Sequence, residues 1–201
     1  MTALHPIPVT PLQGNSARTV LGSRLATAAL AIIALPLLGL PQTASSQTEP
    51  AHTPLFANTR PLALTIEGPF QTLSRERRER NELEGLVKYK DGDGTEVTLD
   101  VQIRTRGNSR MDICTYPPLR LNFRKSQVKG TLFKGQDKLK LVSPCQHGLE
   151  SQQKLLLEYL AYRTYEILTD KSFGTRLIRL SYVDSDNKLK SWTDLAFVIE
   201  E

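Results

Sequence analysis

A chain of 201 residues with 39% hydrophobic and 23% charged residues is long enough for one compact domain plus a tail. Its formal net charge is +5, but residues 1–46 hold two basic residues and no acidic one, so the remainder carries 24 basic against 21 acidic residues, a mild +3. That balance excludes the strongly basic footprint of a nucleic-acid-binding domain.

The first element is a leader. Arg18 and Arg24 precede an apolar run from Leu25 to Leu40, and small polar residues follow. This is the layout of a secretory signal peptide, with Ala44, Ser45 and Ser46 in the cleavage region. The run is broken by Pro36 and Gly39 and is shorter than the roughly 20 apolar residues of a spanning helix. The expectation is a signal peptide over 1–46 and export to the periplasm or medium. The alternative is a membrane anchor made by an uncleaved leader. No stable membrane insertion is expected beyond this segment. Residues 47–61 are polar and proline-bearing and read as a linker, so the folded domain is expected over 62–201.

Within that domain, residues 62–68 alternate well enough for a first strand. The mixed-sign run Arg75–Arg80 suggests a solvated helix, with Ser74 at the N-cap and Arg77, not Glu, at the capping-box position. Leu86–Lys90 and Val97–Thr105 alternate around an Asp-Gly-Asp-Gly turn, the pattern of a β-hairpin. Asp91, Asp93 and Thr95 imitate the start of a calcium loop, but Glu96 and Gln102 stand where Gly and Glu are needed. Strands are also expected at 119–123 and 138–143. Residues 151–170 contain neither Gly nor Pro and form a long helix, capped by Ser151. Its apolar residues cover most of the circumference, which suggests a largely buried helix. Two more strands follow at 173–184 and 194–201, around a polar turn at 184–188. The fold class is therefore α+β, a mostly antiparallel sheet with one long packed helix.

Cys114 and Cys145 both lie in the exported part. An even count in an oxidising compartment suggests one disulfide, worth about 3 kcal/mol by loop entropy, against two separate thiols. With neither a CxxC spacing nor histidines clustered near them, they make a poor zinc site. Of the three histidines, His147 alone lies in the domain, and no GxSxG, HExxH or Walker A pattern occurs. A secreted hydrolase is thereby unsupported. Phosphate chemistry remains: Arg104, Arg106 and Arg110 surround Gly107, which would let a backbone approach a ligand while guanidinium forks grip its oxygens; the alternative is an ordinary basic hairpin loop.

A sheet with an Arg-Gly loop, then a helix bearing a carboxylate, then two strands ending in acid follows the plan of a kinase-type small lobe. From about Val101 the chain resembles the first part of the CotH (spore-coat protein H) family of atypical kinase-like proteins. The matching pieces are residues 104–109, 117–123, 138–143, 153–168 and 196–201. The resemblance implies that Arg104, Arg106 and Gly107 face phosphates. It also implies that Glu158, with Glu166 as rival, is the orienting carboxylate, and that Glu200 and Glu201 lie at the crossing to a second lobe. It implies ATP and Mg2+ as ligands. The strand lysine of the family is missing, with Lys138 or Lys140 as substitutes. The segments bearing the family's catalytic aspartates are also missing. The expectation is thus a truncated kinase-like small lobe without activity of its own, partnered by an absent C-terminal lobe. The alternative is a free-standing exported binding or structural domain. Substrate and acceptor are not readable.

Overall fold

The computed structural model describes residues 53–201. The leader expected over 1–46 lies outside them. Seven strands close into a barrel: β1 (Leu62–Gly68), β2 (Leu83–Lys90), β3 (Glu96–Thr105), β4 (Leu119–Phe123), β5 (Lys138–Val142), β6 (Thr175–Asp184) and β7 (Trp192–Glu200). Around the barrel they run β1-β2-β3-β4-β5-β7-β6 and back to β1. Three helices accompany them, α1 (Phe70–Arg75), α2 (Ser109–Ile113) and α3 (Leu149–Leu168).

This overturns the expected open α+β small lobe. The closing contact is β1 against β6, a parallel pairing from Leu62↔Ile178 to Gly68↔Asp184; every other neighbour is antiparallel. Alternation along a strand reports which face is buried, and it looks alike in an open and a closed sheet, so the sequence pattern carried no sign of closure.

Alternation holds well. Leu64, Ile66, Val87, Leu99, Val101, Ile103, Leu121, Leu139, Ile178, Leu180 and Val198 fill the interior. At one end Phe70 and Leu73 of α1 join this core. The segment before β1 joins it too: Leu55 is fully buried and Phe56 nearly so, although they lie in the stretch expected to be a linker. Phe56 sits so close to Gly174 that a Cβ there would lie 2.7 Å from its ring. Arg176 fixes the segment by donating to the Leu55 and Arg60 carbonyls.

The helices differ most from expectation. The run Arg75–Arg80 is not a helix; α1 ends at Arg75, and Ser74 lies within it. Arg77 instead donates to the carbonyls of Ser74, Met111 and Cys114, tying the turn after α1 to α2. α3 starts earlier than expected, with Gly148 rather than Ser151 at the N-cap. It is not largely buried. It lays Leu155, Tyr159 and Tyr162 on Val142, Phe197 and Ile199, on the outside of β5 and β7. Leu157, Leu160, Ile167 and Leu168 remain exposed. One sheet surface covers one stripe of a helix, and the apolar residues of α3 exceed that stripe.

Candidate functional site

Outward positions of β3, β4 and β5 carry a row of cations. Arg104 pairs across strands with Arg120, and Arg120 with Lys140. Their inward neighbours Ile103, Leu121 and Leu139 are fully buried. Arg106 follows the end of β3, with its backbone N–H donated to the Pro118 carbonyl at 2.9 Å. Two residues beyond Arg104, it shares the outward face by the period-2 rule. Gly107 then turns the chain at φ +92°, a conformation that L side chains rarely adopt. Its carbonyl accepts from Arg80.

The arginines have unequal surroundings. Arg104 Nε lies 3.7 Å from Glu82. Arg110, on α2, donates to Glu158 of α3 at 2.5 Å. Arg120 forks onto both carboxylate oxygens of Glu201, with Nε donating to Oε2 at 2.7 Å. Arg106 is half-buried, and among the described residues its guanidinium makes no hydrogen bond and no ion pair. Burial pushes it below its ordinary pKa; the negative charge of Glu201 counters this, while Arg110 reinforces it.

The expected site residues are thus brought together only in part. Arg104 and Arg106 share one face, and Gly107 makes their turn. Glu158 reaches that region but holds Arg110 rather than an arginine of the row. Its rival Glu166 is nearly buried and committed to Arg163 and to the Thr175 hydroxyl. Glu200 is not part of the site: it accepts from the Gly174 N–H, while its own N–H donates to the Gly174 carbonyl. The strand period places its neighbour Glu201 on the opposite side, where it meets Arg120. Lys140 stands over the Phe173 ring, 5.0 Å from its centre. Arg120 and Glu201 are the members that sequence reasoning did not assign to the phosphate site. The signal was the alternation of residues 119–123, which turns Arg120 outward, but only the register sets it beside Arg104.

Two clefts flank Arg106's neighbours. One of about 430 Å3 is lined by Arg110, Glu158, Lys154, His147 and the disulfide cysteine Cys145. The other, about 330 Å3 and apolar, is lined by Tyr162, Tyr165 and Phe173. Cys114 and Cys145 are joined, and the backbone N–H of Thr115 donates to the Cys145 carbonyl, which fixes the loop before α3 against the end of α2. For Mg2+, implied by the resemblance, the carboxylates on hand do not fit. Among the described residues no three His, Cys, Asp or Glu side chains are grouped to hold a metal ion. Glu158 and Glu200 are committed to other partners. No helix among the described residues is long and apolar enough to cross a membrane. No family model, no curated protein and no solved structure matches the chain.

Proposed function

We propose that the chain is an exported barrel domain that binds a small oxyanion, such as a phosphate group, through Arg106. The observation that carries this reading is the half-buried Arg106 guanidinium, without a hydrogen-bonded or ion-paired partner among the described residues, beside three arginines that each have a carboxylate. A desolvated charge is costly until it is paired and hydrogen-bonded. A fork that is partly desolvated and unpaired gains from an incoming oxygen pair. The apolar cleft at Tyr162, Tyr165 and Phe173 offers room for an organic part of the ligand. No reaction is assigned.

The test is calorimetric titration of the full chain with inorganic phosphate, pyrophosphate and ATP. Binding is expected to weaken at least tenfold in Arg106→Ala, about 1.4 kcal/mol, with the melting temperature nearly unchanged. A large fall in melting temperature with no change in anion affinity would make Arg106 a structural residue and end the reading.

A further inference from the structure

Like charges directly opposite one another on neighbouring strands repel, and opposite charges there are the stabilising pairs. Here Arg104, Arg120 and Lys140 stand in one register across three strands, with Arg106 adjoining. Neighbouring strands are about 4.8 Å apart, so each cation feels the next. Two carboxylates, Glu82 and Glu201, lie against the row, together with the Phe173 ring. Four cations therefore face two side-chain carboxylates.

The two carboxylates are held differently. Glu82 approaches Arg104 at one nitrogen, 3.7 Å away, and its side chain is 42% exposed. Glu201 offers both oxygens to the Arg120 fork in a more sheltered place, with side chains 21% and 28% exposed for Arg120 and Glu201. Its negative charge also acts on Arg106. The carboxylate thus has the place and the geometry that a phosphate would take at a guanidinium fork.

We infer that Glu201 is a resident occupant of this cationic row, and that an oxyanion carrying two or more charges displaces it from Arg120 and spans Arg120 and Arg106. The inference rests on the reading of Arg106 as an anion-binding residue. A singly charged anion would only replace one carboxylate by another. A multiply charged one reaches Arg106 as well as Arg120.

The experiment is titration of the full chain with pyrophosphate, comparing the unsubstituted protein with Glu201→Gln, Glu82→Gln, Arg106→Ala and the double variant Glu201→Gln/Arg120→Ala. Melting temperatures establish that each is folded, and Glu201→Ala serves as a second variant at that position. Glu201→Gln is expected to tighten binding roughly twofold to fivefold, the scale of losing one partly exposed ion pair. Glu82→Gln is expected to change it less than about twofold, being a longer and more exposed contact. The double variant should lose the gain. Equal tightening by Glu82→Gln and Glu201→Gln would reduce the effect to general charge and overturn the inference. Binding that depends on Arg106 yet ignores Glu201 would overturn it while leaving the Arg106 reading intact. Absence of pyrophosphate binding in every variant would remove both.

Discussion

Arg77 and Arg106 carry the same guanidinium into opposite surroundings. Arg77 is saturated by backbone carbonyls and the Ser74 hydroxyl, so it works as a cross-link between α1 and α2. Arg106 is half-buried and, among the described residues, unpaired, so it is available. Asp184 is a third case. It is 3% exposed, and its carboxylate accepts the backbone N–H groups of Gln71, Lys188 and Leu189. Burial pulls its pKa up, but the donated backbone bonds outweigh burial and hold the carboxyl below its ordinary value. A carboxyl with a depressed folded pKa stabilises the fold above the unfolded value, about 3.9, and that contribution disappears as pH falls through the folded value. Thermal unfolding of the unsubstituted chain should therefore lose stability below about pH 4 more steeply than Asp184→Asn does. At pH 7 Asp184→Ala should cost about 2–3 kcal/mol, the scale of bonds to a charged acceptor. Equal acid sensitivity of the two proteins would contradict this. In sequence Asp184 was legible only as a turn residue. Its partner Gln71 stands 113 residues earlier in the chain, and no local pattern announces it.

At the scale of elements, the strands were legible and the helices less so. The boundaries of β1 and β4 follow from alternation alone, because inward residues 62–68 and 119–123 alternate with polar ones. α2, five residues without periodicity, left no signal. α3 was misjudged in burial because its apolar residues imply more contact than the outer face of β5 and β7 supplies. The consequence is measurable. Leu155→Ala should cost about 3 kcal/mol by leaving a gap against Val142 and Phe197. Ile167→Ser, at a residue 82% exposed, should change stability by less than about 0.5 kcal/mol and improve solubility. Chemical denaturation of both variants distinguishes a one-sided helix from a buried one. Comparable losses would mean that the outer stripe of α3 is covered in solution. The cation row belongs to this scale too. Each arginine was visible singly, but the row exists only through the β3–β4–β5 register, which the inward burial of Ile103, Leu121 and Leu139 and the two long connections between the strands set together.

For the whole molecule, closure dominates. A barrel whose contacts join distant strands folds on the millisecond-to-second scale rather than in microseconds. The chain has one tryptophan, and Trp192 lies stacked on Tyr182 and on Tyr116, with ring centres 4.5 Å and 4.9 Å away. Its fluorescence reports whether β6, β7 and the loop before β4 have come together. Stopped-flow refolding followed by Trp192 should relax in milliseconds to seconds; a sub-millisecond phase carrying the full amplitude would contradict dependence on long-range closure.

The seam between β1 and β6 also sets a timetable. Leu62 finds its partner Ile178 more than a hundred residues later in the chain. At ribosomal rates of about 5–20 residues per second, β1 emerges on the order of 10 s before β6 exists. Throughout that interval one edge of the nascent sheet has no mate. The finished barrel shows no such edge, so the moment of greatest exposure for this protein falls before its synthesis is complete.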